Sequence, residues 1–180
     1  MKVLLLTTHM NRGGIGVYTL NLARYLSRAG TEVIVASSGG DLEERFAGLG
    51  IRHVDLDIRT KNEWGPKVWK ALPRVCGLVR SEGIHIVHAQ TRVAQVLAAL
   101  SGRITEVPYV STCHGFFKHR RLSRRLFPCW GERVIAISDS VRRHLEDDFG
   151  VPREKVRLIY NGIELQRYAR PVEARRSELM

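Results

Sequence analysis

The 180-residue sequence has little cysteine, few aromatic residues and no long apolar run. Its three cysteines, Cys76, Cys113 and Cys129, are odd in number and far apart, which argues against a disulfide framework and a CxxC zinc site. No stretch approaches the roughly 18 apolar residues of a membrane-spanning helix. The first residues carry no cationic leader, so secretion is not expected, and reduced thiols favour a cytoplasmic location.

Several motifs of well-known nucleotide sites are also missing. A dinucleotide fingerprint needs G-x-G-x-x-G and an acidic residue after the second strand. Here Thr19 stands at the third glycine position, and residues 37–40 follow the second apolar run without a carboxylate. No G-x-x-x-x-G-K-[ST] sequence occurs, and the histidines lack metal-ligand spacing. An NAD-dependent dehydrogenase, a P-loop NTPase and a metal centre are therefore not expected.

Positive charge, in contrast, is in excess. With 29 Lys and Arg against 18 Asp and Glu, the net charge is +11, so an anionic partner is expected: a nucleotide, a phosphorylated acceptor or a lipid surface. No acidic residue lies between Glu106 and Glu132. Five cations fall within residues 118–125, which we call the basic segment: Lys118, Arg120, Arg121, Arg124 and Arg125.

The basic segment and the residues after it have a helical pattern. Leu122, Leu126 and Trp130 recur every four residues, with arginines on the other side. This pattern is typical of an amphipathic helix on an anionic membrane, so the five cations and Trp130 are predicted to contact such a surface. The alternative is an ordinary helix with a solvated charged face and its apolar stripe in the core. Nucleic-acid binding is not expected, because no aromatic stacking platform accompanies the charge.

Apolar runs alternate with helical patterns along the whole chain. Strands are predicted over residues 2–9, 32–37, 51–58, 84–89, 108–113, 133–137 and 156–160. Helices are predicted over residues 15–29, from 41 to about 48, over 66–82, 91–100 and 138–149. Pro73 is expected to end or kink its helix. The alternation predicts an α/β, Rossmann-like, doubly wound fold, with a mostly parallel sheet of about seven strands and helices on both faces.

Ligands of such folds bind at the carboxyl ends of the strands. This rule selects eight candidate residues: Gly13, Gly14 and Gly16, then His88 and Gln90, then His114 and Gly115, and finally Ser138. The glycines allow close approach of a ligand to the backbone, and the helix that follows them favours an anion. The residues alone predict an anionic small molecule at this edge, with a ligand-free turn as the alternative.

Five segments, in order, resemble family-four glycosyltransferases with the GT-B fold. They are residues 10–23, 86–90, 111–115, 135–138 and 156–164. The resemblance implies a retaining, hexosyltransferase-like enzyme that moves a sugar from a nucleotide-sugar donor to a saccharide or lipid-linked acceptor, without a metal or other cofactor. Such an enzyme would take part in the synthesis of cell-envelope polysaccharide or lipopolysaccharide. It would be a peripheral protein on the inner face of the cytoplasmic membrane.

The resemblance also implies roles for parts of this chain. Residues 1–163 would form the N-terminal, acceptor-binding domain, and 164–180 would connect it to a donor-binding domain that this sequence lacks. The glycines would lie against the donor phosphates and the acceptor, and His114 would contact the donor sugar. Gln90 replaces a second histidine common in the family. The isolated domain is expected to be inactive; the alternative is a binding subunit that pairs with a separate donor-binding chain.

Overall fold

The first strand of the chain forms the middle of the sheet. Residues 3–6 are fully apolar and buried, and β1 pairs in parallel with a neighbour on each side. The structure, a computed structural model, describes residues 1–117 and 126–162. Its strands are β1 (Lys2–Leu6), β2 (Glu32–Ser37), β3 (Arg52–Asp55), β4 (Ile86–Ala89), β5 (Tyr109–Cys113), β6 (Arg133–Ala136) and β7 (Val156–Leu158).

All described strand pairs are parallel, in the order β3-β2-β1-β4-β5-β6-β7. The helices are α1 (Gly14–Arg28), α2 (Glu43–Ala47), α3 (Pro66–Ser81), α4 (Arg92–Thr105) and α5 (Asp139–Arg143). A π-helical turn, His144–Asp148, continues α5, and a 3-10 turn, Arg153–Lys155, precedes β7. The Rossmann-like, doubly wound α/β prediction is confirmed.

Both faces of the sheet carry a hydrophobic layer. Leu4 and Leu6 of β1 contact one cluster, which includes residues of α3 and α4. Val3 and Leu5 point the other way, into a cluster with residues of α1 and α2. Because successive side chains of a strand alternate between faces, an unbroken apolar run is what a strand covered on both sides requires.

Trp130 does not lie on the surface, so its prediction as a membrane contact is wrong. Its side chain is 6% exposed and packs in a third core cluster with Cys113, Val134 and Leu145. Residues 127–130 have no helical structure, and Cys129 adopts a positive φ of 53°. The chain turns there, so the four-residue spacing does not place Trp130 on one face with Leu126. The five cations of the basic segment lie outside the described residues.

Several element boundaries differ from the sequence prediction. α3 continues through Pro73, which is exposed, because Val75, Cys76 and Val79 still bury their side chains beyond it. The stabilisation from tertiary packing there outweighs the loss of the one backbone hydrogen bond that proline cannot make. β1 ends at Leu6, because residues 7–13 leave the sheet to form a turn. The predicted linker, 164–180, is outside the described ranges.

Within residues 1–117 and 126–162, no helix combines the length and apolar composition needed to cross a bilayer. Cys76, Cys113 and Cys129 form no disulfide in the described part of the chain. Packing and hydrogen bonds, without disulfides, therefore hold the described sheet and its helices together.

Two helix ends provide a test of backbone strain. Glu106 follows α4 with an exposed side chain and a φ of 62°, a left-handed conformation that suits glycine. We expect Glu106→Gly to raise the free energy of unfolding by about 0.5–1 kcal/mol. Gly83 after α3 has a φ of +60°, so Gly83→Ala should lower the free energy of unfolding by about 1 kcal/mol. Urea denaturation of both variants measures the difference, and changes of the same sign would contradict this account.

Candidate functional site

The strand order reverses direction at β1, and this reversal creates a crevice. From β1 the chain moves through β2 to β3 on one side, then returns to β4 on the other. The connections after β1 and β4 therefore diverge, and ligands of open α/β sheets bind where this happens. Residues 7–13 and Gln90 occupy this point, with His114 at the end of the next strand, β5.

The glycine turn, residues 11–16, is fixed by the loop that follows β2. The Met10 amide donates to Gly39 O at 2.8 Å, and the Leu42 amide donates to Met10 O at 3.0 Å. The Arg12 amide donates to the Asp41 carboxylate at 3.3 Å. The Asp41 side chain therefore holds the turn and does not cap α2.

The three glycines of the turn have different structural roles. A Cβ on Gly16 would lie 2.1 Å from the backbone oxygen of Asn11, so only glycine fits where α1 passes the turn. Cβ atoms on Gly13 or Gly14 would meet nothing within 4 Å. Both residues are exposed at the N-terminus of α1, where backbone N–H groups favour an anion. Gly16 is therefore required for packing, whereas Gly13 and Gly14 leave open space beside the crevice.

A group of polar side chains, which we call the edge cluster, lies at the carboxyl ends of β4 and β5. His88 Nε2 and Thr112 Oγ1 are 2.8 Å apart, and Thr112 Oγ1 is 3.3 Å from the Tyr18 hydroxyl. His114 Nε2 lies 3.0 Å from Gln90 Oε1. The rings of Tyr18 and His114 meet edge to face, with centroids 4.6 Å apart. The structure thus brings three predicted residues, His88, Gln90 and His114, into one cluster.

Burial keeps both histidines of the edge cluster uncharged. Desolvation lowers the pKa of His114 from 6.5 to about 4. It also lowers the pKa of His88 to about 4, with a smaller contribution from His114. Burial raises the pKa of Tyr18. At neutral pH the cluster therefore offers neutral hydrogen-bonding groups and no fixed charge.

Gln90 is the most deeply buried of the predicted site residues, at 1% exposure. Its backbone amide donates to Leu6 O at 2.9 Å, which ties the end of β4 to β1. Its side-chain Nε2 is buried and has no hydrogen-bond partner among the described residues. A buried amide group without a partner costs free energy.

Ser138 and Gly115 lie at neighbouring strand ends, away from the hydrogen bonds of the edge cluster. Ser138 Oγ accepts from the Val141 amide at 3.2 Å, so this side chain is the N-cap of α5. It also lies 2.9 Å from Ser140 Oγ. A Cβ on Gly115 would meet nothing within 4 Å, so this position is open. Binding roles for both residues stay predictions.

The chain is anchored immediately before and after the basic segment. On one side, the Phe117 amide donates to His144 Nε2 at 2.9 Å, and His144 Nδ1 donates to Asp148 in the π-helical turn. On the other, Arg92 donates to the carbonyl oxygens of Phe127, at 2.7 Å, and of Pro128. These contacts hold Phe117 before the segment and Phe127 and Pro128 after it.

Arg92 itself is held by a buried ion pair. Its Nε lies 3.0 Å from the carboxylate of Glu63, and each side chain is 7% exposed. Two charges can be buried when they are paired and their remaining hydrogens find acceptors, as the two carbonyl oxygens provide here.

Sequence reasoning missed Tyr18, Thr112, Glu63 and Arg92. Tyr18 falls on the apolar stripe of α1, where it reads as a core residue. The signal that could have found it is its hydroxyl, which needs a partner when buried. Glu63 and Arg92 are 29 positions apart, and no local pattern marks such a pair.

Comparison with known proteins places this geometry in a family. The model of Glycosyltransferase Family 4 matches residues 12–167, most of the chain. The chain belongs to this glycosyltransferase family. It is 25% identical over 166 residues to an uncharacterised glycosyltransferase of Methanocaldococcus jannaschii, covering 84% of this chain and 43% of that protein.

Solved structures of GT-B glycosyltransferases share the fold. A glycosyltransferase from Rickettsia africae superimposes with a TM-score of 0.82 at 19% identity, covering 98% of this chain and 48% of that one. Anabaena HepE, solved with UDP and glucose, gives a TM-score of 0.76 at 21% identity, covering 99% of this chain and 50% of that one. This member of the family thus spans about half the length of the proteins it resembles.

The low pKa values of the edge cluster predict a loss of stability in acid. An unfolded histidine takes up a proton near pH 6.5, but folded His88 does so only near pH 4. The contribution of neutral His88 to the free energy of unfolding is therefore complete above pH 6.5. Roughly 3 kcal/mol of this contribution is lost as the pH falls to 4. We expect His88→Asn to lose less unfolding free energy than the wild type between pH 7 and pH 4.

Urea denaturation across this pH range makes the comparison, with His85→Asn as the control. His85 is exposed at the opposite end of β4, where its Nδ1 accepts from the Lys2 amide at 3.1 Å, so this variant removes a histidine without removing a buried one. Its loss of stability in acid should exceed that of His88→Asn. Equal acid losses in His88→Asn and the wild type would contradict a buried, neutral His88.

Proposed function

We propose that this chain is the acceptor-side domain of a two-domain, retaining glycosyltransferase. The complete enzyme would transfer a sugar from a nucleotide-sugar to a saccharide or lipid-linked acceptor of the cell envelope. The observation that carries the proposal is the crevice between β1 and β4, where an open glycine turn faces a cluster of neutral hydrogen-bonding side chains. Family membership supplies the reaction class.

The two sides of this crevice suit different parts of a nucleotide-sugar. Backbone N–H groups near Gly13 and Gly14, at the start of α1, suit the negatively charged phosphates. His114 is neutral and half-buried, so it suits an uncharged hydroxyl of the donor sugar. Gly115 and Ser138 would extend the site along the sheet edge. A second domain would supply most of the donor contacts, so the isolated chain should be inactive.

The activity test uses the gene product that contains this chain with whatever follows it in the reading frame. Because the Anabaena protein was solved with UDP and glucose, a uridine diphosphate sugar is the first donor to try. Release of nucleoside diphosphate with envelope-glycan acceptors measures transfer, and NMR of the product gives the anomeric configuration. We propose a metal-free reaction, so an excess of chelator should leave the rate unchanged. Inversion of configuration would overturn the retaining assignment.

Gly14 tests whether the open space of the turn serves the ligand. We expect Gly14→Val to reduce transfer at least about tenfold with little loss of stability, because its Cβ would meet no protein atom. The control is Gly77→Val, at an exposed helical position of α3 where a Cβ also meets nothing. It should leave the rate unchanged. If Gly14→Val instead prevents folding, or if it leaves transfer intact, the turn has only a structural role.

We also propose that the enzyme binds anionic membranes through the surface around the basic segment. Described residues on either side of that segment carry exposed apolar side chains: Phe116 is 70% exposed and Leu126 is 63% exposed. Apolar groups beside clustered cations suit the boundary between lipid headgroups and acyl chains. Such binding would bring a lipid-linked acceptor to the crevice.

Liposome sedimentation tests this surface. Replacing Arg120, Arg121, Arg124 and Arg125 by Glu should abolish sedimentation with phosphatidylserine vesicles, because the substitution reverses the attraction to anionic lipid. The matched control replaces four cations elsewhere, all exposed: Arg28, Arg74, Arg153 and Lys155. It makes the same change in net charge and should retain most of the binding. Equal losses in the two variants would mean that net charge, and not this surface, determines binding.

A further inference from the structure

We propose that Gln90 is a positioning residue that determines which nitrogen of His114 carries the proton. The Gln90 side-chain oxygen accepts from Nε2–H of His114 and leaves Nδ1 as a bare acceptor for a ligand. The nature of the ligand rests on the proposed function, but the relation between the two side chains does not.

The hydrogen-bond geometry leads to this assignment. Gln90 Oε1 lies 3.0 Å from His114 Nε2, and a carbonyl oxygen can only accept. A neutral imidazole carries one proton, so a proton held on Nε2 leaves a lone pair on Nδ1. No hydrogen bond to Nδ1 is found among the described residues. That nitrogen is therefore available to a ligand.

Neither partner has freedom to turn away. The Gln90 side chain is fully enclosed, and its backbone is tied to β1 through Leu6 O. Tyr18 packs its ring edge against His114. Tyr18 and His88 are the titratable side chains that face His114 in the described part of the molecule, and burial keeps both uncharged.

An acceptor-only His114 selects the kind of group that can bind. A sugar hydroxyl can donate to Nδ1, whereas a phosphate oxygen would meet a lone pair and be repelled. The backbone amides at Gly13 and Gly14 have the opposite character, because they can only donate. Gln90 thus helps to separate a hydroxyl site at β5 from a phosphate site at β1, and this determines the direction in which a nucleotide-sugar lies.

The experiment measures ring ¹⁵N shifts of His114 in the 180-residue chain labelled with ¹⁵N-histidine, because these shifts distinguish protonated from bare nitrogen. At pH 7 we expect Nε2 protonated and Nδ1 bare. Gln90→Leu removes the acceptor and should give a mixture of the two tautomers. Gln90→Glu keeps an acceptor but adds a negative charge, so the pKa of His114 should rise and both nitrogens should become protonated at a higher pH than in the wild type.

Gln95→Leu is the matched control. Gln95 is also a fully buried amide, in α4, and neither its nitrogen nor its oxygen has a partner among the described residues. Its replacement should leave the His114 shifts unchanged. A wild-type Nδ1 that carries the proton would overturn the proposal, as would unchanged shifts in Gln90→Leu. If the shifts behave as expected but the complete gene product transfers no sugar, the proposed function fails while the role of Gln90 stands.

Discussion

The pairing of β1 with two parallel neighbours is the constraint on which the rest of the structure depends. Parallel strands need crossover connections, and right-handed crossovers that leave in opposite directions must cover opposite faces of the sheet. The connections after β1 and β4 therefore separate at the carboxyl ends of these two strands. Backbone amides at the start of α1 stay accessible there, so the anion-binding character of this edge follows from topology before any special side chain is considered.

The edge cluster shows how polar side chains are accommodated at the partly buried carboxyl ends of β4 and β5. Tyr18, Thr112 and His88 bond to one another, and His114 bonds to Gln90. Keeping the histidines neutral avoids the larger cost of a buried charge. The buried Nε2 of Gln90 is an exception, because it gains no partner among the described residues. An apolar residue would avoid this cost but would leave the His114 ring N–H without its acceptor, so the two ends of the Gln90 amide act on stability in opposite directions.

Most of the architecture could be predicted because it depends on local patterns. Unbroken apolar runs gave the strands, and the carboxyl-end rule found His88, Gln90 and His114. The distinction between Gly16 and its neighbours could not be predicted, since it depends on the Asn11 carbonyl in the folded turn. Trp130 was misplaced because a four-residue spacing assumes a continuous helix. The Glu63–Arg92 pair depends on tertiary structure alone.

The contacts beside the basic segment bear on which changes of sequence they can survive. His144 holds Phe117, and Arg92 holds Phe127 and Pro128. Both atoms of each of these bonds belong to residues outside 118–125. A substitution of the cations therefore removes none of the bonding atoms, so the charge of this stretch can change while the bonds to Phe117, Phe127 and Pro128 keep their partners.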